Sequence, residues 1–309
     1  MGEVTEHTGE LDGLPVFWRS APRPNGAGAA VPLYLHGVPT NSEDWVTPRE
    51  RRGTRPLWRR WWRRKRSTDE WVQIPSYKEG FLERSGGLAV DLPGFGRSGK
   101  PGNLEYTIDE YALFLERFLD LAEVERVSLV MHDWGSVGFA FAQRRPELIE
   151  RLVVINAVPF LPGYRWHRVA RVWRTPLLGE LMMGSTGRRT LRRASKVSNA
   201  TRGPLPEAWL DTVLDHFDQG TQRAILRLYR SSPPEVLAAA GSELGLLEMP
   251  ALVIWGMRDP YISAGFGRQY AEALANAELL ELEDAGHVPW LDRPDVIDRV
   301  VDFLGAASA

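Results

Sequence analysis

The chain runs to 309 residues, 43% hydrophobic and 25% charged, with a formal charge of −2 and no cysteine. Such a length and apolar content can bury a large core, which excludes a wholly disordered chain. The lack of thiols excludes disulfides, thiolate metal sites and a cysteine nucleophile. The small net charge excludes a general attraction to nucleic acid; the amino terminus MGEVTEHTGELDG has no apolar stretch and no run approaches the ~18 to 20 apolar residues of a membrane span, so a cytoplasmic protein is expected.

Val31 to His36 is the first segment that reads as a strand. It opens into HGVPTNSEDW, where Gly37 permits a tight turn and leaves the backbone N–H of Val38 free to point at a reacting atom. The passage from Gly37 to the next strand, Leu88 to Asp91, is far longer than a usual loop of ~4 to 6 residues, so an insert is expected at about 49–80. Its first part, RERRGTRPLWRRWWRRKR at 49–66, holds ten Lys or Arg against one Glu, a local charge of +9 that leaves −11 for the rest. The glycine-rich turn DLPGFGRSGKP after Leu88 to Asp91 reads as fold support.

Thr107 with Glu110 makes a capping box, and Tyr111, Phe114, Leu115 and Phe118 then share one face of a helix ending at Leu121. Val127 to Met131 reads as a mid-sheet strand and Leu152 to Ile155 as another. Residues 157–247 turn helical and proline-punctuated, with no convincing strand. Ala251 to Trp255 and Leu279 to Leu282 are the last two strands. Strands alternating with helices imply a mostly parallel, twisted sheet flanked by helices. The expected organisation is a core over 1–156, an inserted helical domain over 157–247 and the core again over 248–309.

The chemistry gathers at three strand exits. LVMHDWGS, Leu129 to Ser136, places an aspartate at a sharp strand-to-helix turn, a nucleophile elbow that lifts one side chain above the sheet and needs small neighbours such as Gly135. Asp133 ends the strand directly, with a helix expected to begin near Trp134. The other register, with Ser136 as nucleophile, puts bulky Trp134 where a small residue is wanted. Asp is also a good helix cap, and alone Asp133 would be read that way. Its partners change the reading. WGMRDP puts Asp259 just after a buried strand, and AGHVPWLDRP puts His287 on a loop after the last one. In that chain order an acid can fix the imidazole tautomer while the imidazole serves as base. The N–H groups of Val38 and Trp134 would complete an oxyanion hole.

Taken together, HGVP, DLPGFGRSGKP, HDWGS, WGMRDP and GHVPWLDRP resemble the α/β-hydrolase superfamily, in the branch of haloalkane dehalogenases and epoxide hydrolases with Asp-Trp-Gly at the elbow. The resemblance spans roughly residues 31 to 305 apart from the basic insert and weakens in the helical insertion. It implies the α/β-hydrolase fold with an inserted helical cap, no metal or organic cofactor, and a small-molecule substrate. It also implies that Asp133 forms a transient alkyl ester, which water activated by His287 then hydrolyses.

Trp134 sits where haloalkane dehalogenases hold the halide with an indole N–H, so the resemblance favours haloalkane conversion to alcohol and halide. Val38 departs from the pattern, because many such dehalogenases carry Asn there as a second halide donor. Another group uses a cap Trp; Trp166, Trp173 and Trp209 offer one, and Asn156 resembles that group. Epoxide hydrolases keep the same Trp and protonate the epoxide oxygen through two cap tyrosines, for which Tyr229 and Tyr164 are the candidates, so conversion of an epoxide to a diol is the alternative. An Arg follows the nucleophile in fluoroacetate-type enzymes, and Trp134 replaces it. Further alternatives are a serine esterase and a non-catalytic relative binding anionic surfaces. The 49–66 run has the composition of a cationic interfacial peptide, implying weak contact with anionic membrane, or else it is a solvated loop without function.

Overall fold

A computed structural model describes residues 2–23, 30–47, 49–52, 70–73, 79–200 and 203–305. In chain order the strands are β1 (Thr5–Leu11), β2 (Leu14–Ala21), β3 (Val31–Leu35), β4 (Arg49–Arg52), β5 (Glu70–Gln73), β6 (Gly87–Val90), β7 (Val127–His132), β8 (Ile149–Ile155), β9 (Pro250–Gly256) and β10 (Asn276–Leu282). Eight of them form one sheet in the order β1-β2-β6-β3-β7-β8-β9-β10. From β6 to β10 every neighbouring pair is parallel, whereas β1, β2 and β6 pair antiparallel. All the strands expected from sequence are present, and β7 lies mid-sheet.

Side-chain alternation splits the core into two layers. Leu33, Leu35, Val90, Leu129, Met131, Val154 and Trp255 face one side of the sheet, toward α2 (Ile108–Leu121), α3 (Gly138–Arg144) and α10 (Gly265–Ala273). Tyr34, Ala89, Val130, Val153 and Ile254 face the other, toward α1 (Phe81–Ser85), α11 (Pro289–Asp292) and α12 (Asp295–Gly305). Strands covered on both faces bury every position, as β6 and β7 do, and are accordingly apolar except at Ser128 and His132 of β7. The Thr107 capping box forms as read, with Thr107 Oγ1 accepting from Glu110 N and the Glu110 carboxylate accepting from Thr107 N.

Between the parallel neighbours β8 and β9 the chain leaves the sheet for an excursion whose described residues form six α-helices: α4 (Arg168–Arg174), α5 (Leu178–Gly184), α6 (Arg188–Ala194), α7 (Glu207–Asp215), α8 (Gln219–Ser231) and α9 (Pro234–Ala240). No strand occurs among the described residues of that excursion. Its α8 contributes Ala224, Ile225, Leu228 and Tyr229 to the larger core layer.

Two features had no counterpart in the sequence reading. The β1–β2 hairpin turns at Asp12-Gly13, both at positive φ (51° and 81°), as a type I′ turn requires. Its outer strand is mostly exposed and polar, so the hydrophobic alternation that flags a strand is missing. Within the basic insert, β4 and β5 pair antiparallel as a separate two-stranded sheet. The remainder of the 49–66 run lies outside the described residues. No helix among the described residues is long and apolar enough to cross a membrane.

Candidate active site

Asp133 follows β7 with φ +49°, the left-handed region that costs a non-glycine residue of order 1–3 kcal/mol. The turn persists because its surroundings fix it. The Asp133 carbonyl accepts from Val158 N at 2.9 Å, while the chain continues as a 3-10 turn over Asp133–Val137 before α3 begins. The α-helix thus starts four residues later than expected near Trp134, because the elbow first winds more tightly. Two glycines make room: a Cβ at Gly135 would lie 2.1 Å from the Leu35 carbonyl oxygen, and one at Gly37 would lie 2.6 Å from Asp133 Cβ.

His287 stands between two carboxylates. Its Nδ1 lies 2.8 Å from Asp259 Oδ2, and its Nε2 lies 3.6 Å from Asp133 Oδ2. Asp259 is held on every side. Its Oδ1 accepts from the backbone N–H of Tyr261 (2.7 Å) and Ile262 (3.0 Å), and its Oδ2 accepts from Asn156 Nδ2 at 2.8 Å as well as facing His287. Asn156 in turn accepts from Gly256 N through Oδ1 at 2.8 Å, locking the ends of β8 and β9 together. The His287 main chain is anchored by its N–H on the Ser198 carbonyl at 2.7 Å, a contact from the helical excursion to the core.

The Val38 N–H donates to Asp133 Oδ1 at 2.8 Å, and the Trp134 backbone N–H also reaches the carboxylate. The two expected oxyanion donors therefore converge on one carboxyl group. His36 braces the Val38 turn from beneath: Nδ1 bonds the Gly37 carbonyl at 2.8 Å and Nε2 bonds Leu92 N–H at 3.0 Å. From the glycine-rich turn, the buried Asp91 carboxylate takes Ser42 N–H and Arg97 N–H, each at 2.7 Å, tying that turn to the same loop.

Electrostatics follow from this enclosure. Burial pushes the Asp133 carboxyl up, against the opposing pull of His287 and the two amides. Burial works against charge on His287 as well, but the Asp259 carboxylate first and then Asp133 outweigh it and lift the imidazole to about 9. Both carboxylates thus favour the protonated imidazole between them. At His132 and His167 burial prevails over the weaker upward pulls of the His287 carbonyl and the Asp259 carboxylate, respectively, and lowers both, His167 to about 4.

A cavity of about 170 Å³ opens above Asp133 and His287. Its lining includes Val38, Tyr164, Trp173, Trp209 and Tyr229 from the sequence reading, and Asp44, His167, Ser198 and Tyr261, which that reading missed. Trp134 and Trp166 are not in the lining: the Trp166 indole N–H is taken by the Ser232 carbonyl at 3.1 Å, and its ring stacks on Trp134 and lies tilted against Tyr229. Ser136 is fully buried, also outside the lining, with its hydroxyl unpartnered. The Trp134 indole N–H is buried and approaches the Tyr229 hydroxyl without completing a hydrogen bond. The Tyr164 hydroxyl is likewise unpartnered, and after burial the Asp133 charge is the next influence raising both tyrosines.

The family and the fold have counterparts among known proteins. The profile of the family described as alpha/beta hydrolase fold matches residues 67–294. A haloalkane dehalogenase of Mycolicibacterium paratuberculosis is 32% identical over 246 residues, covering 71% of this chain and 74% of its own length. A cis-3-alkyl-4-alkyloxetan-2-one decarboxylase of Shewanella oneidensis is 29% identical over 234 residues, covering 70% and 73%. Among solved structures, the haloalkane dehalogenase DbeA of Bradyrhizobium elkani superposes with a TM-score of 0.75 at 24% identity, over 99% of this chain and 100% of that one.

Proposed function

Since the chain belongs to the α/β-hydrolase family, we propose that it hydrolyses a haloalkane to alcohol and halide through an ester on Asp133. One observation carries the reading: a buried indole N–H with no completed hydrogen bond, on Trp134, stands directly after a carboxylate that faces a paired imidazole. Buried donors are normally satisfied, so an open one beside a reacting carboxylate supports a site for an electron-rich leaving atom.

The steps follow from the distances. Asp133 Oδ1 is occupied by the Val38 N–H, leaving Oδ2 to attack saturated carbon; the carbon–halogen bond breaks and its electron pair leaves with halide. The Trp134 N–H receives that halide, with a Tyr229 or Tyr164 hydroxyl as the second donor in place of the Asn that Val38 replaces. Esterification removes the negative charge that helped hold the His287 proton, so the imidazole releases it to solvent, where it balances the departing halide, and becomes a base. It then takes a proton from water, whose oxygen attacks the ester carbonyl carbon. Val38 and Trp134 amides hold the resulting oxyanion, and its collapse returns the Asp133 carboxylate and the alcohol. Asp259 keeps the imidazole oriented and balances its positive charge. In this reading residues 157–247 are a cap that closes the cavity from above.

Two tyrosine hydroxyls near Asp133 favour a second reading, in which they protonate an epoxide oxygen and the product is a diol. Separate incubations with a bromoalkane and an aryl epoxide test both. Bromide without diol supports the first, diol without bromide the second, and neither product sinks the ester mechanism. For the basic run at 49–66 we propose weak contact with anionic lipid, which flotation with anionic vesicles checks by comparing the chain with and without that run.

A further inference from the structure

The cavity contains a carboxyl group that the reaction does not use. Asp44 lies on the 3-10 turn Ser42–Trp45 of the β3 exit loop, the loop that also supplies Val38. Thr40 Oγ1 is hydrogen bonded to Asp44 Oδ2 and lies 3.1 Å from the Gly37 carbonyl, so the carboxyl is oriented by the same turn that forms the oxyanion hole. The Trp209 indole N–H, also in the lining, approaches the carboxyl without completing a hydrogen bond. No Lys or Arg among the described residues pairs with it, and none lines the cavity. Most of the remaining wall is apolar, including Val158, Val169, Met183, Leu191, Phe217 and Ile225. Burial holds the carboxyl up to about 7, so near neutrality it is present in both protonation states.

A carboxyl group placed among apolar side chains costs stability unless something in the site pairs with it. The protein supplies one hydroxyl and an incomplete indole contact, which leaves acceptor capacity directed at the cavity. The cation nearest the site, His287, is already flanked by Asp259 and Asp133. An anionic substrate would meet no free positive charge there, while a donor group would meet an open acceptor.

We propose that Asp44 forms a polar subsite that binds a hydrogen-bond donor carried by the substrate, a hydroxyl or an amine. The proposal rests on the reading that this cavity receives the substrate of Asp133, and it narrows that substrate to halogenated alcohols and amines over plain haloalkanes and halogenated acids. Hydrogen bonds to a buried carboxyl change affinity by about ten- to a hundredfold.

The test separates binding from turnover. In an Asp133→Asn background, calorimetry measures an ω-bromoalkanol, the ω-bromoalkylamine, the bromoalkane and the ω-bromoalkanoate of equal chain length. The alcohol and amine should bind more tightly than the other two. Adding Asp44→Leu should reduce the alcohol-to-alkane affinity ratio by about ten- to a hundredfold, and Asp44→Asn, whose carbonyl still accepts, should retain part of it. If Asp44→Leu does not fold, the Asn variant decides through the same ratio. A ratio untouched by either substitution, an acid that binds as well as the alcohol, or no saturable binding by any ligand overturns the subsite. Bromide release by the unmodified protein is followed in parallel: its absence alongside an intact binding preference refutes the dehalogenation reading and leaves the subsite standing.

Discussion

Replacing His287 by Gln should divide the reaction in two. Attack by Asp133 Oδ2 needs no base, whereas hydrolysis of the ester does, so the variant should release about one equivalent of halide per active site and then slow by about 10²- to 10⁴-fold, the usual contribution of a general base. The structure indicates that the fold survives the change. Asp259 loses its contact with Nδ1 but keeps three donors, from Tyr261 N, Ile262 N and Asn156 Nδ2. The main-chain anchor of residue 287 on Ser198 is independent of its side chain. Losing the imidazolium also removes the strongest pull that keeps the buried Asp133 ionised, so its carboxyl should titrate higher and the burst should be largest on the alkaline side. Rapid-quench halide measurement gives the burst, and mass spectrometry of the quenched protein should show one added alkyl group on the peptide containing Asp133. Steady release without a burst would remove His287 from the second step. No burst and no adduct, in a variant that melts like the parent, would remove Asp133 as nucleophile.

Asn156→Ala should lower kcat more than it raises KM, because it frees Asp259 Oδ2 and the Gly256 N–H at once; a loss of about 1–3 kcal/mol in unfolding free energy should accompany it, read by denaturant titration. Gly37→Ala drives a methyl group to 2.6 Å from Asp133 Cβ, so turnover should fall by at least about a hundredfold while an alanine at exposed Gly102, with nothing within 4 Å, changes neither turnover nor melting temperature. The His287 imidazole should titrate near 9 by NMR in the resting protein and lower in Asp133→Asn, which deletes one of the charges holding it up. Because that folded value lies above the unfolded one, the stabilisation is complete below about 6.5 and fades as pH rises through about 9. Thermal melts over that interval should therefore decline less in His287→Gln than in the parent.

Much of the fold could be read directly because buried parallel strands are dominated by apolar residues, and the inner stretches Leu129–Met131 of β7 and Leu152–Ile155 of β8 are apolar and buried throughout. Asp133 and Asp259 stood out as candidates because each follows a buried, largely apolar strand, whereas His287, after the partly exposed β10, stood out only by its place in chain order behind them. The hairpin β1–β2 was missed although Asp12-Gly13 is a strong turn signal, since the polar, exposed β1 gives no alternation around it. Asn156 was noticed only for its likeness to a relative's pattern, and its bond to Asp259 spans 103 positions that no local pattern connects. Trp166 had the right type and region for a leaving-group donor, yet its N–H is spent on Ser232, a partner that only packing reveals.

The sequence by itself determined where the strands run and in which order the candidate residues follow them, because strand periodicity and turn chemistry act over a few neighbouring residues. Only the tertiary structure decided which donors remain open, that Asp44 shares the cavity, and that one imidazole stands between two carboxylates and is raised by them. Those outcomes depend on burial and on distances of a few ångströms between segments remote in the chain, and electrostatic interactions in a low-dielectric interior respond to such distances and not to sequence spacing.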